Sequence, residues 1–313
     1  MAGFLDRLED YLIKPPLPSV AFQLSSHYMS GIHVSPKERK IKHHFILPLK
    51  NSVIQSSFNK KNVKDGSYLE KKIKEGMEKL RLSKSKIALF IPEVCLNVFL
   101  FPFVSLPSAQ KDKEEIIRWR VKKQMPLLPK DTRLSFEVIK SDGEKKILVT
   151  LAKASVIQEY EDFFSRVGLK VGAIGVSTLS LSNLLDSEGE GNLMVINLED
   201  DTISLIAFIN SEIVLYRHKP FVLEGQSELP FSQKLESIVK EVENTVNFIE
   251  DREKKKINSF WIRMGLVSPE EEMFSILRER LSLPLKGVEA SGVSGLNFRE
   301  KQILSPLIGQ ILC

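Results

Sequence analysis

Residues 194–217, "MVINLEDDTISLIAFINSEIVLYR", constrain the fold more than any other segment. Two apolar runs flank the acidic residues Glu199, Asp200 and Asp201, and this pattern predicts two buried strands joined by a tight turn. Chains that hold a nucleotide between two such strands usually carry glycine in the turn, because backbone without a Cβ lets phosphate approach closely. The segment therefore combines the shape of a phosphate-binding hairpin with negative charge where phosphate would lie.

Length and composition indicate a globular protein. The 313 residues, 42% of them hydrophobic, suffice for two domains with real cores. A net charge of +5 from 45 basic and 40 acidic residues predicts no strong overall attraction to nucleic acid or lipid, so only a local patch would support such a function. Phe99, Phe101 and Phe103 alternate like the buried face of a strand, which disfavours nucleic-acid binding.

Cysteines and targeting signals favour a cytoplasmic protein. Cys95 and Cys313 are too few for a disulfide framework or a zinc site. The chain starts with acidic residues, unlike a signal peptide. Residues 86–107 are apolar, but three prolines interrupt them, so two buried strands with a turn near 92–95 explain them better than a membrane helix.

The order of elements suggests an arm and two domains. Residues 1–17 are predicted to form an amphipathic N-terminal arm that Pro15 and Pro16 end. The first domain, 18–190, mixes strands and helices, and an inserted strand-helix-strand-strand subdomain spans about 97–153. The polar segment 187–192, "SEGEGN", predicts a hinge, and 191–313 form the second domain. The last stretch, 287–313, is too irregular to assign.

Three stretches carry a resemblance to a known family. They are 106–138, 147–185 and "IVKEVENTVNFI" at 238–249, and their order and spacing resemble the type IV pilus assembly protein PilM family, of the FtsA/PilM type within the actin-like ATPase superfamily. The cytoplasmic part of the type II secretion protein GspL is a more distant likeness. The resemblance implies an α/β, actin-like (RNase H-like) two-domain fold, with the strand-helix-strand-strand insertion in the first domain.

The nucleotide motifs of that family are degenerate here. Family members that bind ATP carry aspartate, a hydrophobic residue and glycine in each hairpin, where the first hairpin of this chain has Gln23-Leu24-Ser25 and the second has Asn197-Leu198-Glu199. The adenosine loop keeps only Gly265. An acid about 4 Å from a phosphate costs roughly 4 kcal/mol in a partly screened site. We therefore expect the protein to bind neither ATP nor magnesium. We also expect it to have no catalytic residues and no metal site.

One alternative keeps ATP binding. A register shift of one or two residues would let Asp200 or Asp201 serve as the metal ligand, with displaced phosphate contacts. The sequence alone leaves both hypotheses open.

A basic helix within the insertion is the candidate partner-binding surface. Arg118, Trp119 and Arg120 lie in it, followed by Lys122 and Lys123. The helix face is either simply solvated, or it contacts an acidic partner or the inner leaflet of a membrane. The resemblance further implies a cytoplasmic scaffold, peripheral to the inner membrane, that binds the cytoplasmic N-terminal peptide of a PilN-like bitopic membrane protein. The resemblance implies that this peptide binds in a groove of the first domain, near the insertion. Whether it serves a pilus or a type II secretion system stays open.

Overall fold

The computed structural model describes most of the chain. The described residues are 18–35, 37–38, 40–139, 145–185, 191–221, 229–266, 270–288 and 295–311. The predicted arm, 1–17, lies outside these ranges, as does most of the predicted hinge at 187–192. The domain boundaries therefore stay a prediction.

The first sheet contains β1 (Val20–Leu24), β2 (Tyr28–Ser35), β3 (Lys40–Pro48), β4 (Ser85–Phe90) and β8 (Leu169–Gly175). Its order is β3-β2-β1-β4-β8. The first three strands form an antiparallel meander, and β4 and β8 extend it in parallel. Every residue of β1 is buried, because helices cover both faces of the sheet.

Helices α1 (Gly66–Lys79) and α3 (Ala154–Arg166) cover one face of this sheet. Their apolar stripes pack against Phe22 and Phe45, and the ring of Phe22 lies edge-on to the ring of Phe164. Alternate residues of β1 point away from these helices, so Ala21 belongs to a separate core on the opposite face.

Helix α7 (Phe298–Ile311) covers that opposite face and lies within the last stretch, which the sequence analysis left unassigned. Asn297 and Glu300 cap it reciprocally, each side chain accepting the other's backbone N–H over 2.9 Å. The sequence pattern did not predict this helix, because residues 302–309 are all buried and include polar side chains, proline and glycine. A helix buried on all sides has no amphipathic period.

The inserted subdomain has the predicted strand-helix-strand-strand order. It contains β5 (Leu96–Phe103), α2 (Gln110–Gln124), β6 (Thr132–Ile139) and β7 (Lys145–Lys153), with sheet order β5-β7-β6. A short 3₁₀ turn at Glu93–Cys95 separates β4 from β5, which confirms the predicted pair of strands within 86–107.

The second sheet contains β9 (Asn192–Glu199), β10 (Thr202–Ile209), β11 (Glu212–Pro220), β12 (Ser259–Gly265) and β13 (Leu285–Gly287). Its order, β11-β10-β9-β12-β13, repeats the plan of the first sheet. Helix α4 (Ser177–Leu181) follows β8 and precedes this sheet along the chain. Helices α5 (Phe231–Glu253) and α6 (Glu270–Arg280) pack against the second sheet.

The predicted acidic turn is confirmed, because it joins the antiparallel strands β9 and β10. The prediction of only two strands for residues 194–217 was wrong, because the segment also includes part of β11. Asn210 and Ser211, at φ of 50° and 64°, reverse the chain a second time. Two residues with positive φ are typical of the tight turn that joins neighbouring antiparallel strands. Within the described part of the chain, no helix has both the length and the apolar character needed to span a membrane.

Candidate functional site: a filled cleft and an open groove

The five predicted nucleotide-cleft residues come together between the two sheets. Gln23 and Ser25 lie at the end of β1, while Asn197 and Glu199 lie at the end of β9. Gly265 pairs with Glu199 across β12 and β9. Gln23 Nε2 donates to Glu199 Oε1 over 3.1 Å, so the first strands of both sheets are joined by a direct side-chain contact. We call this region the cleft.

Arg263, which sequence analysis missed, fills the cleft with a fully buried side chain. A guanidinium has five N–H donors, and the structure provides five acceptors for them. Nη1 donates to Asn197 Oδ1 over 3.1 Å and to the Glu199 carboxylate. Nη2 donates to the Tyr28 hydroxyl over 2.7 Å. Nη2 and Nε also reach backbone carbonyls of residues 302–303 in α7, at 3.0 and 2.9 Å.

Glu199 is the counter-charge of this guanidinium. The Tyr28 hydroxyl donates to its Oε1 over 3.0 Å. Burial raises the pKa of Glu199 to about 7, although the charge and hydrogen bond of Arg263 act to lower it. The carboxylates of Asp201 and Asp200 push the pKa of Glu199 in the same direction as burial. The cleft thus contains its own internal ion pair, completed by hydrogen bonds.

Gly265 has a role that differs from the one the resemblance implied. A Cβ at this position would overlap the guanidinium of Arg263 and the carboxylate of Glu199. The glycine therefore leaves room for the ion pair.

Little space remains between the end of β1 and the end of β9. The cavity bounded by Gln23, Ser25, Asn197, Glu199 and Asp201 measures about 10 Å³. A cavity of roughly this size holds one water molecule. Gln23 Oε1, buried there without a hydrogen-bond partner among the described residues, would accept from such a water. A triphosphate with its magnesium is many times larger than this space.

A second carboxylate, Glu93, is buried beside the cleft and braces the two sheets. Glu93 accepts from the backbone N–H of Thr178 over 2.6 Å and from its hydroxyl over 2.9 Å. From the second sheet it accepts from the Tyr216 hydroxyl over 3.0 Å and from the Ser204 hydroxyl. Asn197 Nδ2 donates to Thr178 Oγ1 over 2.9 Å, which links this cluster to the cleft.

Both acids of the alternative ATP-binding hypothesis already have partners. Asp200 Oδ2 lies 3.5 Å from His27 Nδ1, and its Oδ1 lies 3.8 Å from Lys234 Nζ. Asp201 Oδ2 accepts from the Ser26 hydroxyl over 2.7 Å. In the described ranges, no three His, Cys, Asp or Glu side chains are grouped to hold a metal ion.

An open groove lies between the first sheet and the insertion. Strand β8 is an edge of the first sheet and β6 is an edge of the inserted sheet, and residues of both line a cavity of about 390 Å³. Most of its lining is apolar, and an ion pair of 3.0 Å between Arg133 and Glu161 also borders it. Apolar residues lining this groove include Leu96, Leu134, Leu151, Ile157, Val171, Ala173, Ile174 and Val176.

The three predicted partner-binding residues of α2 have different environments. Arg118 is paired with Glu114 on the preceding turn, at 2.8 Å. Arg120 lies over the ring of Phe101 and is half-buried. Trp119 is 55% exposed. Of the three, only Trp119 presents most of its side chain to solvent.

One feature of the sequence could have indicated the buried charged residues in and beside the cleft, namely a charged residue within an apolar segment. Arg263 is a charge within the apolar strand "SFWIRMG", and Glu93 is a charge within the apolar run 86–107. Charged residues at buried positions require buried partners. The partners of Arg263 come from three distant segments of the chain, so the sequence could not identify them.

Neither a protein-family model nor a curated protein matches this chain. Solved structures do. The structure described as "PilM-PilN type IV pilus biogenesis complex" superposes with a TM-score of 0.75 at 14% identity, over 95% of this chain and 97% of that chain. A Bacteroides thetaiotaomicron protein with an actin-like ATPase fold and unknown function gives 0.58 at 10% identity, over 96% and 98%.

A third likeness is to the cytoplasmic domain of EpsL, an inner-membrane component of the type II secretion system of Vibrio cholerae. Its TM-score is 0.51 at 8% identity, over 93% of both chains. These likenesses, together with the repeated sheet plan, show that the chain has the actin-like two-domain α/β fold.

Proposed function

We propose that the protein is a non-catalytic scaffold that kept the actin-like fold and lost nucleotide binding. The observation that carries this proposal is the fully hydrogen-bonded Arg263 in the cleft. Nucleotide entry would require breaking its pair with Glu199 and separating the two sheets. Leaving either charge buried without a partner is strongly unfavourable.

The groove supports a peptide as the partner. Extended peptides add to sheet edges through main-chain hydrogen bonds and insert alternate side chains into pockets. The groove offers two strand edges and an apolar lining. We propose that it binds the cytoplasmic N-terminal peptide of a PilN-like bitopic membrane protein, as a PilM-like component of a type IV pilus platform. The protein would then be cytoplasmic and peripheral to the inner membrane.

Isothermal titration with magnesium-ATP tests the loss of nucleotide binding. We expect no saturable heat, and no ATP hydrolysis in a phosphate-release assay. Micromolar binding would refute this part of the proposal and favour the alternative with displaced phosphate contacts.

Fluorescence anisotropy with a labelled N-terminal peptide of the PilN-like protein from the same organism tests the groove. We expect saturable binding to the full chain. Ala173→Arg, which places a long charged side chain in the groove, should abolish it. Val138→Arg is the matched control, because Val138 is exposed on β6 and does not line the groove. Equal loss or equal retention in both variants would contradict the assignment.

A type II secretion component is the second candidate, favoured by the likeness to the EpsL domain. The higher TM-score of the PilM-PilN complex supports the pilus assignment. Recovery of pilus platform proteins, rather than secretion proteins, with the tagged chain in a pull-down from membranes would separate the two.

A further inference from the structure

The net positive charge of the chain lies in the inserted subdomain. Residues 97–153 contain 12 basic and 7 acidic residues, a net charge of +5. The whole chain has 45 basic and 40 acidic residues, so the rest contains 33 of each and is neutral. An anionic partner would therefore be attracted to the insertion rather than to the body of the protein.

The insertion also displays most of the exposed apolar side chains. Seven large hydrophobic residues are exposed among those described. Two of them, Phe248 and Phe298, lie outside the insertion. The other five are Val104, Ile116, Trp119, Leu127 and Val138.

Apolar and basic side chains coincide along one face of α2. Ile116, Trp119 and Lys123 follow one another at helical spacing, and Leu127 continues the series just beyond the helix. Lys123 Nζ lies 3.7 Å from the centroid of the Trp119 ring. Residues 116–130 contain five basic residues and no acidic one. We call this segment the basic strip.

We propose that the basic strip binds the surface of an anionic lipid bilayer directly. Tryptophan places its amphipathic ring at the level of the lipid headgroups, and lysines near the surface are attracted to anionic lipids. Leu127 is 92% exposed, and a protruding leucine inserts into lipid without a complementary pocket, which an acidic protein partner would have to supply. This contact goes beyond the proposed function, because it uses a surface other than the groove.

Co-sedimentation of the full chain with vesicles, in the absence of any peptide, tests the proposal. We expect binding to vesicles mixed equally from phosphatidylglycerol and phosphatidylcholine, and none to pure phosphatidylcholine. Removing two lysines with Lys122→Ala and Lys123→Ala should weaken binding about thirtyfold, since each lysine contributes roughly one kcal/mol. The control Lys71→Ala with Lys74→Ala removes the same charge from exposed positions on α1 and should leave binding unchanged.

Tryptophan emission locates the contact. The chain has two tryptophans, so Trp261→Phe leaves Trp119 as the single reporter. Mixed vesicles should shift its emission to shorter wavelength, and Trp119→Ala with Leu127→Ala should weaken sedimentation severalfold. No vesicle binding, or equal loss in the α1 control, would overturn the proposal. The result is independent of the nucleotide and peptide assays, which use neither lipid nor this surface.

Discussion

The cleft and the groove both lie where two parts of the molecule meet, yet their chemistry is opposite. The cleft joins the two large sheets through an arginine and carboxylates and retains about 10 Å³ of space. The groove joins the first sheet to the insertion, is lined mainly by apolar residues and has about 390 Å³. In the cleft, the polar groups form hydrogen bonds with one another. In the groove, apolar surface and strand edges remain available for a ligand. We therefore expect the cleft to contribute to stability and recognition to depend on the groove.

Substitution of Arg263 should give the largest effect. Arg263→Ala leaves the Glu199 carboxylate buried without its main partner, and such a loss costs about 3–5 kcal/mol. Urea unfolding at pH 8, above the pKa of about 7 that Glu199 has beside Arg263, measures this. Combining Arg263→Met with Glu199→Leu should restore much of the stability, because apolar replacement of a buried pair is often neutral.

An exposed arginine–glutamate pair provides the control. Arg280 Nη1 lies 2.7 Å from Glu236 Oε1, and the two side chains are 37% and 67% exposed. Arg280→Ala should change the free energy of unfolding little, because solvent screens exposed pairs. If Arg263→Ala and Arg280→Ala had equal effects, the cleft would not be the brace that its hydrogen bonds indicate.

The pH dependence of stability is the next effect in size. Native Glu199 keeps its proton until about pH 7, whereas its ordinary pKa is 4.5. Between these values the native state binds more protons than the unfolded state, so the stability from this group falls as pH rises. The contribution of Glu199 to the free energy of unfolding therefore falls by about 3 kcal/mol over this pH range. We expect Glu199→Gln to remove this fall between pH 4.5 and 7.

Comparing wild type and Glu199→Gln in denaturant series across this pH range isolates the contribution of Glu199 from that of other carboxylates. Arg263→Ala should also cost less at pH 5 than at pH 8, because a neutral Glu199 needs no counter-charge. Identical pH profiles for wild type and Glu199→Gln would contradict the buried state of this carboxylate.

For both regions, the sequence predicted the secondary-structure elements better than the side-chain contacts between them. The order of strands and helices, the insertion and the convergence of Gln23, Asn197 and Glu199 follow from local pattern and from the resemblance. The role of Arg263 does not, because its acceptors lie in β2, β9 and α7 and meet only in the folded chain. Helix α7 was missed for a related reason, since complete burial removes the polar face that marks a helix in sequence.

Substitution in the groove should have the smallest effect on stability. Ala173 is half-buried at the groove, so the arginine of Ala173→Arg can extend along the opening with its charge in water. The free energy of unfolding should change by no more than about 0.5 kcal/mol, as for most surface positions. Peptide binding should nevertheless be lost. If Ala173→Arg instead destabilised the protein as much as Arg263→Ala, the groove would be a packed joint like the cleft, and the division between a structural and a recognition site would fail.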